Sequence, residues 1–85
     1  MEVEEGEVRL FVHYNCEDCA QARRLLEECG VEVDVVPIAS VEGVTEFVKC
    51  GGTKATPLPA LFDGEKVVGG LVGVLRWLDE WLERR

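Results

Sequence analysis

Apolar and polar residues alternate along the chain in segments that predict four strands and three helices. Residues 7–14 form a short apolar run rich in Val and Phe that ends at Asn15, which is typical of a buried strand. The next segment predicts a helix that ends at Gly30, because its apolar residues recur at three- and four-residue steps. Its predicted buried face consists of Cys19, Ala22, Leu25, Leu26 and Cys29.

The middle of the chain predicts another strand and another helix. Residues 31–36 alternate apolar and polar positions before Pro37, which indicates a strand near a sheet edge or with one more solvated face. Ser40 is placed to cap a second helix that ends at Cys50. The apolar positions of this helix are Val41, Val44, Phe47 and Val48. A strand, a helix and a strand in this order predict a parallel crossover.

A hairpin and a third helix complete the predicted order. Asp63–Gly64 is a tight-turn dipeptide between two short apolar segments, 58–62 and 66–68, and therefore predicts antiparallel strands. The last helix follows Gly69–Gly70 and ends at Arg84–Arg85, whose charges suit the helix dipole. One side of this helix carries Leu71, Val74, Leu75, Leu78 and Leu82, and Trp77 and Trp81 broaden that stripe. The pattern predicts an α/β protein of order β-α-β-α-β-β-α.

Composition limits the class of protein. Eighty-five residues with 47% hydrophobic content predict a single domain over residues 1–85. A net charge of −8 argues against nucleic acids and anionic membranes as partners. The first residues lack the pattern of a secretory signal, and no apolar run approaches the ~20 residues of a membrane-spanning helix. We therefore expect a cytoplasmic protein, and a reducing compartment favours catalytic or metal-binding roles for cysteine over structural disulfides.

Cys16 and Cys19 are the strongest candidates for that chemistry. Two thiols at this spacing either form a reversible disulfide or bind a soft metal. Their place between a buried strand and a helix favours the disulfide, because the helix N-terminus stabilises a thiolate. We expect Cys16 to attack a disulfide and the more shielded Cys19 to resolve the resulting mixed disulfide.

Residues around the pair are predicted to modulate it. Glu17 and Asp18 stabilise the helix N-terminus but repel a thiolate at Cys16. This predicts a Cys16 pKa above that of strongly oxidising dithiol proteins, and hence a reductant. His13 is either an electrostatic modulator or an ordinary solvated histidine. Tyr14 either covers one side of the disulfide or packs at the sheet edge.

The two remaining cysteines have simpler expectations. Cys29 lies on the predicted buried face and is expected to be an inert core thiol. Cys50 lies at a helix end beside glycines, where packing and a second redox role both stay open.

Three features of the chain resemble the thioredoxin superfamily, specifically small glutaredoxin-like proteins. They are the element order, the segment Tyr14-Asn15-Cys16-Glu17-Asp18-Cys19 and the later segment Leu-Pro-Ala-Leu-Phe-Asp-Gly (58–64). The resemblance covers nearly the whole chain. It implies a thioredoxin-like fold with a central four-stranded mixed sheet flanked by helices, and thiol–disulfide oxidoreductase activity. It also implies a cis proline beside the dithiol, with Pro59 as the candidate and Pro57 as the alternative. The implied substrate-binding residues are Tyr14, Leu58, Pro59, Gly69 and Gly70.

The chain departs from the family pattern at two places. Glu17 and Asp18 replace the Pro-aromatic or Gly-Pro pair that is common between the cysteines. Leu71 and Val72 follow the Gly-Gly pair, where glutathione-using members tend to carry an acidic residue. We therefore expect no bound cofactor, disulfide-containing proteins as substrates and a reductase-type electron donor. Glutathione use is in doubt and stays open as the alternative donor.

Two other functions stay open at this point. A zinc or iron–sulfur site needs more ligands than Cys16 and Cys19, and Cys29 lies roughly 15 Å along the predicted helix from Cys19. His13 or Cys50 would have to complete such a site. The second alternative is a thioredoxin-fold module that binds a partner without turnover. A monomer is expected, and the last helix is the surface that a dimer would use.

Overall fold

A computed structural model describes residues 8–84 and contains seven elements in the predicted order. They are β1 (Arg9–Val12), α1 (Glu17–Glu28), β2 (Asp34–Pro37), α2 (Val41–Lys49), β3 (Ala60–Phe62), β4 (Val67–Gly69) and α3 (Gly70–Glu83). The strands form one sheet in the order β2-β1-β3-β4. β1 and β2 are parallel, whereas β3 is antiparallel to both β1 and β4. The mixed sheet, the edge position of the second strand, the parallel crossover and the hairpin are thus confirmed.

β1 and β2 are shorter than the segments predicted for them. β1 covers Arg9–Val12 rather than 7–14, and Glu7 lies outside the described residues. β2 begins at Asp34 rather than Val31, because the Val31 N–H donates to the Leu26 carbonyl oxygen at 2.9 Å and completes the end of α1. Gly30 supplies the left-handed conformation that this helix end requires, with φ of +86°.

The core consists of two clusters on opposite faces of the sheet. Adjacent residues of a strand point to opposite faces, so Leu10 and Phe11 belong to different clusters. The larger cluster joins the sheet to α1 and α3 through Val8, Leu10, Ala22, Leu26, Val31, Leu61, Val74, Trp77 and Leu78. The smaller cluster joins it to α2 through Phe11, Phe47 and Ala60. The helices therefore flank the sheet on both sides.

α2 lies close to β2 and buries little of its own surface. A Cβ atom at Gly43 would overlap the carbonyl oxygen of Pro37, so only glycine permits this approach. Ser40 caps the helix as predicted, since its Oγ accepts a hydrogen bond from the Gly43 N–H at 3.0 Å. Phe47 is the large side chain that α2 buries, whereas its three valines (Val41, Val44 and Val48) are exposed.

α3 closes the other face of the sheet and is joined to the β3–β4 turn. Trp77 is buried, and its indole N–H donates to Asp63 Oδ2 at 3.0 Å. The Trp77 ring stacks on Trp81, which is half-buried. The predicted Arg85 contribution to this helix end lies outside the described residues. None of the helices between residues 8 and 84 combines the length and apolar character that a membrane crossing requires.

Candidate active site

Cys16 and Cys19 form a disulfide at the start of α1, with their Cα atoms 5.2 Å apart. Cys16 is the N-cap residue, and its extended backbone turns its side chain back over the first helical turn. The Cys19 N–H therefore donates to Cys16 Sγ at 3.1 Å. This is the position in which an N-cap side chain satisfies one of the unpaired N–H groups of a helix. A sulfur anion at Cys16 would have a backbone donor already aimed at it.

The two sulfurs differ in access. Cys16 is half-buried, whereas Cys19 is 2% exposed and lies on the buried face of α1. An incoming disulfide would therefore meet Cys16 first. Cys19 is held within reach of Cys16 but away from solvent.

Glu17 and Asp18 occupy the first turn of α1, and both side chains are exposed. Their charges compensate the positive end of the helix dipole. The same charges oppose a second negative charge at Cys16. Because both carboxylates are in water, salt screens this repulsion.

The loop that leads into the dithiol bends at Asn15, which has a left-handed backbone with φ of +59°. Asparagine adopts this conformation more readily than most residues. His13 and Tyr14 precede the bend, and both are exposed. His13 Nδ1 lies 2.8 Å from the Tyr14 carbonyl oxygen, which fixes the imidazole against the loop. The roles of His13 and Tyr14 near the disulfide stay predictions.

Leu58 and Pro59 lie at the same end of the sheet as the dithiol. Phe11 of β1 pairs with Ala60 of β3, and one further step in this register places Pro59 beside Val12, just before the loop that leads to Cys16. The Leu58–Pro59 peptide bond is cis, which confirms the prediction for Pro59 over Pro57. Pro59 is fully buried and Leu58 is half-buried. Within residues 8–84, neither the N–H nor the C=O of Leu58 has a hydrogen-bond partner.

Gly69 and Gly70 lie next to this proline segment. Gly69 ends β4 and Gly70 begins α3. The Gly70 N–H donates to two carbonyl oxygens, that of Pro57 at 3.1 Å and that of Pro59 at 2.8 Å. The structure thus brings the predicted residues Leu58, Pro59, Gly69 and Gly70 together.

A groove beside Leu58 was not predicted from the sequence. Its cavity of about 360 Å³ lies between α2 and the loop that follows it. Its lining residues are Ile38, Val44, Phe47, Val48, Gly52, Thr53, Lys54, Thr56 and Leu58. Val44 and Val48 are 45% and 60% exposed, so the groove presents apolar surface to solvent. The spacing of the α2 valines was visible in the sequence, but spacing alone does not distinguish a core face from an exposed one.

The other two cysteines lie apart from the dithiol and from each other. Cys29 is the C-cap residue of α1 and packs against the core cluster beneath α1 and α3, but it is half-buried rather than fully buried. Cys50 is the C-cap residue of α2 on the opposite face of the sheet, where Arg9 Nη1 lies 3.7 Å from its sulfur. The part of the chain that the structure describes holds no group of three or more His, Cys, Asp or Glu side chains arranged to bind a metal.

A mixed sheet with a dithiol at the first helix defines a thioredoxin-like protein, and solved structures agree. A point mutant of the thioredoxin-like protein BC3987 superposes with a TM-score of 0.71 at 13% identity, covering 88% of this chain and 97% of that one. Glutaredoxin 1 from Francisella tularensis, in complex with cacodylate, gives 0.64 at 18% identity, covering 89% and 95%. Buckwheat glutaredoxin in complex with glutathione gives 0.66 at 18% identity, covering 92% and 73%. The thioredoxin-like fold is therefore confirmed.

The family assignment rests on a separate comparison. The family model described as Glutaredoxin matches residues 8–68, which include the dithiol, the proline segment and most of the hairpin. The chain belongs to the glutaredoxin family. No curated protein matches it significantly. Membership supports a thiol–disulfide redox role at the level of the family.

Proposed function

We propose that this protein is a thiol–disulfide oxidoreductase that reduces protein disulfides with Cys16 and Cys19. The observation that carries the proposal is the pairing of an accessible Cys16, whose sulfur accepts the Cys19 N–H at 3.1 Å, with a buried Cys19 in disulfide contact. The Cys16 sulfur has a backbone donor that stabilises its anion, and Cys19, which is 2% exposed, is shielded from solvent.

The reaction proceeds by two exchanges in the reduced protein. The Cys16 thiolate attacks one sulfur of a substrate disulfide, forms a mixed disulfide and releases the other sulfur as a thiolate. Cys19 then loses its proton and attacks Cys16 Sγ, which releases the second substrate thiolate and closes the Cys16–Cys19 disulfide. Two electrons pass to the substrate, and its two thiolates take up protons from water. An external dithiol returns the protein to the reduced state.

Leu58 and the groove beside it support a protein as the substrate. An extended segment placed next to Leu58 would satisfy the free N–H and C=O of that residue, as a strand does at a sheet edge. The neighbouring groove offers apolar lining from Val44, Val48 and Leu58 itself. Tyr14, which is 64% exposed, adds aromatic surface in the loop that leads to Cys16. A folded or partly folded protein supplies more apolar contact than a small disulfide.

The electron donor we propose is a reductase-type protein rather than glutathione, in the reducing cytoplasm. Buckwheat glutaredoxin holds glutathione in its solved complex. In this chain Leu71 and Val72 occupy the first turn of α3, and Val72 is 65% exposed, so no carboxylate stands there to receive an ammonium group. Turnover with glutathione as the sole reductant is expected to be far slower than turnover with dithiothreitol.

The reduction of insulin disulfides by dithiothreitol tests the proposal. The protein should accelerate insulin precipitation, Cys16→Ser should abolish the acceleration, and Cys29→Ser, the matched control, should keep it. Zinc and iron analysis of the purified protein accompanies the assay. A substoichiometric metal content with Cys16-dependent turnover supports the oxidoreductase. Stoichiometric metal without turnover would establish a metal-binding protein instead, and the absence of both would leave a binding module.

A further inference from the structure

Gly69 lies where a side chain would displace its neighbours. A Cβ atom at this position would lie 2.8 Å from Pro57 Cδ, 3.0 Å from the Pro57 carbonyl oxygen and 3.0 Å from Thr56 Cγ2. Carbon atoms in proteins pack at about 3.5–4.0 Å, so the distance to Pro57 Cδ is an overlap, and the other two distances are tighter than ordinary contacts. The Thr56–Pro57 backbone and the Pro57 ring therefore lie against β4 only because residue 69 is glycine.

Gly70 ties the same segment by hydrogen bonds. Its N–H donates to the carbonyl oxygens of Pro57 and Pro59, the two residues on either side of Leu58. The backbone of Gly70 is left-handed, with φ of +80°, a conformation that glycine adopts without strain. The Gly70 N–H thus binds the residues on both sides of Leu58, and the absence of a side chain at Gly69 lets this segment lie against the junction of β4 and α3.

On the basis of the function proposed above, we propose that Gly69 is a positioning residue for the Leu58–Pro59 segment. Its missing side chain sets how far that segment lies from β4, and therefore where the free N–H and C=O of Leu58 stand relative to Cys16. This role differs from the direct substrate contact that the resemblance implies for Gly69. The β4–α3 junction therefore affects substrate affinity but takes no part in the exchange reaction at the sulfurs.

Gly69→Ala tests this role, and Gly73→Ala is its matched control. A Cβ atom at Gly73 would lie 3.6 Å from its nearest neighbour, Val68 Cβ, which is ordinary contact. Gly69→Ala should raise KM for insulin about threefold to tenfold, because displacements well below 1 Å at a binding segment already cost several-fold. Its kcat and the rate at which iodoacetamide alkylates reduced Cys16 should match wild type. The Leu58 amide resonance should shift in the Gly69→Ala protein and stay unchanged in the Gly73→Ala protein.

A second background separates positioning from general destabilisation. Thr56→Ser with Pro57→Ala removes two of the three groups that a side chain at residue 69 would meet. In this background Gly69→Ala should have little further effect on KM, so the two sites should be strongly coupled. The same background keeps the test available if Gly69→Ala alone does not fold.

Two results would overturn the proposal: a wild-type KM with an unshifted Leu58 amide in Gly69→Ala, or an equal rise in KM in both backgrounds. Failure of the proposed function gives a different result, because then the wild-type protein itself does not reduce insulin. The Leu58 amide shift still reports on positioning in that case.

Discussion

At the scale of single residues, Cys16 experiences opposing influences. The Cys19 N–H and the helix dipole stabilise its thiolate, whereas Glu17 and Asp18 destabilise it from the same turn. Stabilising a thiolate stabilises the reduced protein and makes the pair a stronger oxidant. The two carboxylates are therefore expected to keep this dithiol a reductant.

The combined Glu17→Gln and Asp18→Asn variant measures their effect. We expect the pKa of the Cys16 thiol to fall, because removing two exposed negative charges from the first turn of α1 relieves about 0.5–1 kcal/mol of repulsion after salt screening. The reduction potential should rise by about 10–20 mV, following the two-electron relation between energy and potential. Thiolate absorbance against pH and equilibration with dithiothreitol provide the two measurements.

Glu28→Gln, at the far end of α1, is the control for that variant and should change neither quantity. The difference between the double variant and wild type should shrink in high salt. An unchanged or higher thiol pKa in the double variant would contradict the account of these carboxylates.

At the scale of elements, Asp63 joins the β3–β4 turn to α3. Burial raises the pKa of Asp63, but hydrogen bonds from the N–H groups of Lys66 and Glu65, the indole of Trp77 and the charge of Lys66 together lower it below its usual value. Because the folded-state pKa is the lower one, the carboxylate adds stability above its unfolded value of 3.8. That stability is lost as the pH falls through the folded-state value.

Asp63→Asn should therefore lower the free energy of unfolding by about 1–2 kcal/mol at pH 7, since it weakens hydrogen bonds to a charged acceptor. The difference between variant and wild type should hold from neutral pH to about pH 5 and diminish as the pH falls below the unfolded value of 3.8. Urea denaturation at a series of pH values checks this. A difference that stays constant down to pH 2 would show that the charge of Asp63 contributes nothing.

The exposed valines of α2 give a second prediction at this scale. Val48→Lys places a charge in the groove beside Leu58 and should raise KM for insulin about fivefold, as expected from losing the burial of one apolar side chain. The kcat for insulin and the turnover of a small aromatic disulfide should not change. Thr45→Lys adds the same charge to an exposed position of α2 outside the groove lining and serves as the control. Equal effects of the two lysines on KM would assign the change to net charge and remove the groove from substrate binding.

At the scale of the whole molecule, the order of the elements follows from the sequence because apolar periodicity and turn residues are local signals. Ser40 and Asp63–Gly64 were recognisable without tertiary information, and the cis bond before Pro59 followed from the family resemblance. The start of β2 was not predictable, because a hydrogen bond from Val31 back to α1 competes with strand pairing.

Features that depend on contacts between distant segments were also hidden from the sequence. Periodicity placed valines on α2, but their exposure depends on how closely Gly43 lets the helix approach β2. The family resemblance predicted Gly69 as a substrate-binding residue, but its close approach to Thr56 and Pro57 depends on the folded sheet. The dithiol was predictable because its chemistry lies within one helical turn.

Trapping of the mixed disulfide tests the central claim of a Cys16–Cys19 exchange most directly. Reduced Cys19→Ser protein is mixed with a disulfide-containing peptide, and the adduct is located by mass spectrometry of the digested protein. The account predicts one peptide per chain on Cys16, no stable adduct in the wild-type protein because Cys19 releases it, and none on Cys29 or Cys50. An adduct on Cys50 or Cys29, or a wild-type adduct as stable as that of the variant, would contradict it.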